Sequence, residues 1–298
     1  MLIDACNPML WPFTSSGEED TMKKCISTSN KKKVNRKVTY QEGPEGNEFE
    51  VEVVSTHPRA FLIRGFLSDF ETDYVMAQAK PQLSRSTTGH GKNIRVDNVR
   101  TSKSAWLTRG HAGKGESVMD TIYRRIGIAL KIPQELVTEG RAGGYQGIAE
   151  NLNVLNYPKG GEYTPHYDVG ADGLVASRWV SGLLYLNTPE KGGGTSFPKA
   201  KMPDGTIGTY VDAIKGNFLF FYDLLEDGNV DMRSLHSGTT VEEGEKWVSP
   251  LWLWEPSRSG LPHGMGDLST TAQDGDRLAL EADYDGDVGD DVNGDYEG

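Results

Sequence analysis

A chain of 298 residues with 36% hydrophobic content can bury a sizeable core, and one large domain flanked by polar ends accounts for it better than two small ones. The formal net charge is −12, yet residues 266–298 alone carry eleven Asp or Glu against the single Arg277, which leaves the body nearly neutral. That balance gives no domain-wide basic field for nucleic acid, and no apolar run is long enough for a transmembrane segment.

In chain order, residues 1–13 lack the basic start and continuous apolar stretch of a secretory signal. The only cysteines, Cys6 and Cys25, lie outside the expected core, so neither a disulfide framework nor a cysteine metal site holds the fold. A basic cluster (Lys23, Lys24, Lys31, Lys32, Lys33, Arg36, Lys37) contains no acid, and residues 1–47 read as a flexible, solvated basic arm. Order is expected from Glu48. Residues 50–54 alternate like an edge strand, and residues 60–67 form a second strand. Ser68-Asp69-Phe70-Glu71 has capping-box spacing and predicts a helix over 69–80, ahead of Pro81. Val118, Ile122, Ile126 and Leu130 recur every fourth residue and predict a second helix whose apolar stripe covers a sheet.

From Glu150 onward the pattern changes to short strands at 151–157, 181–187, 216–223, 236–241 and 246–254, broken by glycine-rich turns. Many short strands in one block imply a sandwich or jelly-roll barrel with the helices outside. Past residue 256 an acidic tail, 257–298, is expected to be disordered. Its carboxylates do not fit an EF-hand, because the twelfth position counted from Asp283 is Gly294, where a bidentate Glu is required.

The chemistry concentrates at Tyr163-Thr164-Pro165-His166-Tyr167-Asp168. On a strand, side chains at i and i+2 share a face, so His166 and Asp168 can reach one point. With His236 from a distant strand they make two imidazoles and one carboxylate, a donor mix suited to non-haem Fe(II) with open coordination positions. If residues 242–245 close a hairpin, the strand carrying His236 pairs with the strand carrying Lys246, and both side chains face one cavity. A fixed ammonium beside a metal suits a keto-acid bound by the metal at one end and by a cation at its far carboxylate.

Over residues 58–256 the chain resembles the Fe(II)- and 2-oxoglutarate-dependent prolyl 4-hydroxylases. The matching series is Asn98-Val99-Arg100-Thr101-Ser102 with Trp106, Leu155-Asn156-Tyr157, Tyr163 through Asp168, Leu184-Tyr185-Leu186-Asn187, Gly193-Gly194-Thr195-Ser196-Phe197-Pro198, Lys215-Gly216-Asn217, His236-Ser237-Gly238 and Glu245-Lys246-Trp247. The likeness implies an α+β fold with a double-stranded β-helix (jelly-roll) core, supporting N-terminal helices and a catalytic domain over 48–256. It implies His166, Asp168 and His236 as iron ligands and Lys246 as partner of the 2-oxoglutarate C5 carboxylate. Tyr157, Thr195 and Trp252 fall at cosubstrate positions, and Tyr163, Arg178, Arg100 and Trp106 at positions that meet a proline-containing polypeptide.

The implied reaction uses O2 and 2-oxoglutarate, with ascorbate as reductant, releases succinate and carbon dioxide, and hydroxylates proline at C4. The endoplasmic reticulum is the compartment of secretory relatives. The pattern departs from the family at Trp254, where the motif carries a histidine. Two other readings stay open: a related oxygenase acting on another residue or a small molecule, and a non-catalytic jelly-roll metal-binding module. The sequence leaves the oligomeric state undetermined.

Overall fold

The computed structural model describes residues 35–40, 47–86, 101–107, 117–132, 137, 148–169, 178–225 and 228–254. Fifteen strands run in chain order as β1 (Asn35–Tyr40), β2 (Asn47–Ser55), β3 (Ala60–Ile63), β4 (Ser84–Arg85), β5 (Lys103–Leu107), β6 (Leu152–Tyr157), β7 (Tyr163–His166), β8 (Arg178–Tyr185), β9 (Lys191–Gly192), β10 (Thr195–Lys201), β11 (Ile207–Val211), β12 (Phe218–Tyr222), β13 (His236–Gly238), β14 (Val241–Glu243) and β15 (Lys246–Trp254). Among the described residues, helices α1 (Asp69–Ala79) and α2 (Val118–Leu130) precede β6. The strands build a nine-stranded sheet ordered β1-β2-β3-β12-β8-β15-β6-β5-β4, a four-stranded sheet ordered β11-β10-β13-β7, and the short pair β14-β9. This is the jelly-roll core with helices outside that the sequence pattern predicts.

The large sheet is apolar on both faces. All five residues of β12 are buried; Phe218 and Phe220 join the core on the helical side, while Leu219 and Phe221 join the core between the sheets. Each such side chain contributes roughly 1.5–3 kcal/mol when fully buried, and the two-residue repeat of a strand divides that burial between two layers. The same alternation along β15 sends Trp247, Leu251 and Leu253 toward the helices. It leaves Lys246, Val248, Pro250 and Trp252 lining the space between the sheets. Gly182 of β8 lies where a side chain would run into the Phe218 ring.

Both helices start as the sequence requires. Ser68 Oγ accepts from Glu71 N at 3.3 Å while Glu71 Oε2 accepts from Ser68 N at 2.8 Å, and Ser117 with Asp120 repeats the arrangement at α2. Ile122, Ile126 and Leu130 of the predicted stripe are buried. None of the described helices is long and apolar enough to cross a membrane.

Four local expectations are corrected. Pairing begins before Glu48, since β1 lies inside the expected basic arm and runs antiparallel to β2 from Asn35–Glu52 to Tyr40–Asn47. The strand from Ala60 stops at Ile63, where the chain turns through Gly65 at φ +61° toward the Ser68 cap. The strand carrying His166 also ends there, so Asp168 lies two residues beyond the ladder. Finally, β13 does not pair with β15: β13 joins β10 and β7, β15 joins β6 and β8, and the intervening β14 pairs with β9 at the glycine-rich turn. His236 and Lys246 therefore approach one another from opposite sheets.

Candidate active site

A cavity opens between the two sheets, lined from the large one by Leu155, Tyr157, Leu183, Lys246, Val248, Pro250 and Trp252. The small sheet supplies Tyr163, His166, Thr195, His236, Ser237 and Gly238, and Asp168 joins them from beyond the end of β7. His166 and His236 are direct cross-strand partners, with ring centroids 4.3 Å apart. His166 Nδ1 lies 2.7 Å from the Thr164 carbonyl, and His236 Nδ1 lies 3.0 Å from the Ser234 carbonyl. A carbonyl only accepts, so each Nδ1 donates and each Nε2 is turned toward the carboxylate. Those Nε2 atoms stand 3.6 Å from Asp168 Oδ1 and Oδ2 respectively.

The ligating atoms of the three residues lie within 4.8 Å of one another. Two imidazoles and one carboxylate fit a non-haem ferrous ion with positions left open. Burial works to raise the Asp168 carboxyl, but His236, His166, Arg178 and the Trp252 indole outweigh it and hold the group well below the usual carboxylate range. Asp168 is therefore an anion in a buried place.

At the other end of the cavity Lys246 is 4% exposed, and among the described residues its Nζ donates to the Gly194 carbonyl, at 3.5 Å. The rings of Tyr157 and Tyr185 each lie 5.8 Å from Nζ. Among the described residues no carboxylate pairs with this ammonium, and burial pushes its pKa down to about 7. Gly194 must be glycine, because a Cβ would strike Tyr210 and the Val211 carbonyl. The Tyr185 hydroxyl is 2.8 Å from Thr195 Oγ1, so Thr195 is held at the cavity wall by a buried partner. A buried ammonium flanked by hydroxyls suits one carboxylate of a small dicarboxylate whose other end reaches the histidine end.

Of the residues expected from sequence, His166, Asp168, His236, Lys246, Tyr157, Thr195, Trp252 and Tyr163 all line this cavity. Tyr163 stacks on His166 with centroids 3.6 Å apart and planes 22° apart. Trp252 does more than line the wall: its Nε1–H donates to Asp168 Oδ2 at 2.9 Å. Arg178 is not part of the lining, since its Nε and Nη2 donate to Glu150 at 2.8 and 3.2 Å and its guanidinium covers the Trp252 ring at 3.8 Å. Trp106 stays half exposed, its ring 6.2 Å from that of Trp252. Arg100 falls outside the described residues.

Sequence reasoning passed over Glu150, Tyr185 and Asp223. Tyr185 was within reach, because it alternates with Leu183 along β8. Asp223 is fully buried and accepts from Ser181 Oγ at 2.7 Å; burial first, then the Asp168 charge, pushes its carboxyl well above the ordinary value. The Asp168 charge thus works against a second negative charge on Asp223.

Residues 152–254 match the family model described as the 2OG-Fe(II) oxygenase superfamily. Prolyl 4-hydroxylase 5 of Arabidopsis thaliana is 33% identical over 242 residues, which span 74% of this chain and 77% of that protein. The chain belongs to the prolyl 4-hydroxylase family. Prolyl 4-hydroxylase 2 of the same plant is 32% identical over 227 residues, covering 70% of this chain and 71% of that protein. Among solved structures, the chain is similar to a viral collagen prolyl hydroxylase of Paramecium Bursaria Chlorella virus-1 in its 2OG complex, with TM-score 0.49, 25% identity and coverage of 67% and 98%. As a family member this chain is an oxidoreductase of the Fe(II)- and 2-oxoglutarate-dependent dioxygenase class.

Proposed function

We propose that this enzyme hydroxylates peptidyl proline at C4, consuming one O2 and one 2-oxoglutarate and releasing succinate and carbon dioxide. One oxygen atom goes to proline and the other to succinate. The observation that carries the reading is the single cavity with two imidazoles and a carboxylate at one end and the unpaired, buried Lys246 at the other. His166, Asp168 and His236 hold the Fe(II), which supplies the dioxygen chemistry when bound. Lys246, in its charged form, takes the C5 carboxylate of 2-oxoglutarate, with Tyr157 and Thr195 beside it and Trp252 closing the wall.

Tyr163, stacked on His166 at the cavity edge, positions the peptide together with the half-exposed Trp106. The two sheets exclude water around the reacting carbon, so oxidation is directed at the substrate rather than at the cavity walls. By kinship, ascorbate serves as the reductant and the endoplasmic reticulum as the compartment. The catalytic unit is the one expected over residues 48–256, extended at its start to β1.

The test supplies Fe(II), ascorbate, 2-oxoglutarate and a proline-rich peptide, and records succinate together with the mass gain of one oxygen on proline. His236→Ala abolishes both signals. Succinate released without oxidised proline transfers the reading to another substrate, and no succinate with any peptide overturns it.

A further inference from the structure

His166 and His236 are held by strand pairing, because each lies in a ladder and faces the other across it. Asp168 has no such support. It sits past the end of β7, where among the described residues no ladder hydrogen bond fixes its backbone. A carboxylate in that place can rotate between presenting one oxygen or two, and its backbone can drift. What restrains it comes from the large sheet. Trp252 of β15 donates its indole hydrogen to Oδ2 at 2.9 Å, and Arg178 of β8 reaches the Asp168 carbonyl at 3.5 Å. Arg178 in turn lies flat over the Trp252 ring at 3.8 Å and grips both carboxylate oxygens of Glu150.

Glu150 closes the chain at its outer end. Its backbone N donates to the Trp252 carbonyl at 2.9 Å, and its own carbonyl accepts from Tyr123 of α2 at 2.6 Å. The Arg178 fork is thus committed to Glu150, the Trp252 ring and the Asp168 carbonyl, with a side chain only 11% exposed. This leaves little of it for a substrate.

Resting on the metal-site reading above, we propose that Glu150, Arg178 and Trp252 form a positioning chain for the metal carboxylate: the indole occupies Asp168 Oδ2 and the guanidinium locks the indole, which leaves Oδ1 as the single oxygen offered to the metal. One oxygen rather than two from Asp168 keeps a coordination position open for the keto-acid and dioxygen. Arg178 then acts on the metal through Trp252 and is not a peptide contact. Partners that orient a metal ligand in this way change metal affinity when they are removed.

The experiment measures Co(II) affinity of the whole chain by equilibrium dialysis without cosubstrate or peptide, alongside folding by circular dichroism. Trp252→Phe keeps the ring under Arg178 and deletes the donor, and it weakens Co(II) binding about 10-fold or more. Arg178→Gln shifts affinity in the same direction by a smaller factor and leaves the peptide KM unchanged at saturating metal. Arg178→Lys, which keeps the charge but loses the fork, behaves like Arg178→Gln. Glu150→Gln removes only the outermost charge, and its small loss of affinity carries the test should Trp252→Phe fail to fold.

Wild-type Co(II) affinity in folded Trp252→Phe, or in Glu150→Gln if the former does not fold, overturns the proposal. So does an Arg178→Gln enzyme with a raised peptide KM and unchanged metal affinity. A wild-type chain that binds no Co(II), or a His236→Ala chain that binds it equally well, instead overturns the metal-site reading itself.

Discussion

On the helical side of the nine-stranded sheet, Arg125 of α2 meets Glu71 of α1 at 2.7 Å with both side chains buried, and Arg125 also donates to the Phe66 carbonyl. On the opposite side Lys246 is just as buried but finds one carbonyl at 3.5 Å and no carboxylate among the described residues. The first arrangement satisfies itself and welds two helices together. The second costs the free protein stability and is satisfied only when an anion enters. Buried charge with its partner inside the protein marks structure, and buried charge lacking one marks a binding site.

That contrast predicts opposite outcomes for two deletions. Arg125→Met leaves Glu71 buried without its partner and lowers stability by about 3–5 kcal/mol, measured by urea unfolding, while 2-oxoglutarate affinity of the folded fraction is unchanged. Lys246→Met leaves unfolding unchanged or shifts it to higher urea, yet weakens 2-oxoglutarate by roughly 2–5 kcal/mol, the cost of removing one side of a buried charge pair, as read by calorimetry. Equal losses of stability in both variants would erase the distinction.

The pH dependence sharpens it. With Lys246 near 7 in the folded chain against an ordinary value of 10.5, the unfolded chain binds more protons between those values, so this residue's contribution to stability rises as pH increases from about 7 to 10.5. The wild-type rise over that window is therefore steeper than that of Lys246→Met. At pH 8, 2-oxoglutarate binding takes up a proton, visible as a dependence of calorimetric heat on buffer ionisation. Glu71 runs the other way. Burial works to raise its carboxyl, but Arg125 and Ser68 outweigh that and lower it from 4.5, so its contribution is present above that value and is lost as pH falls through the lower folded one. The smallest effect belongs to Ser117→Ala, which removes the α2 cap at about 1 kcal/mol and leaves cosubstrate affinity untouched.

The sequence disclosed what repeats locally. Capping boxes at Ser68 and the four-residue stripe of α2 needed no tertiary information, and the spacing of His166, Asp168, His236 and Lys246 was readable as chemistry. Long-range pairing was not legible. Adjacency along the chain suggested that the strands of His236 and Lys246 formed one hairpin, whereas the short β14 between them leaves to pair with β9. The i, i+2 spacing of His166 and Asp168 looked like one strand face, but the ladder ends at the histidine. Glu150 carries no local signature at all, since its value comes from Arg178, reached only when β8 and β15 pair beside it.

The place of β15 in the large sheet has a further consequence for synthesis. Five strands (β1, β2, β3, β12, β8) lie on one side of it and three (β6, β5, β4) on the other, and among the described residues no other strand joins them edge to edge. A chain emerging from the ribosome thus holds two unjoined half-sheets until its last described strand is released, and pairing of such sequence-distant edges is slow. The strand that unites them also brings Lys246 and Trp252. Joining the half-sheets and furnishing the cavity with Lys246 and Trp252 are thus one event.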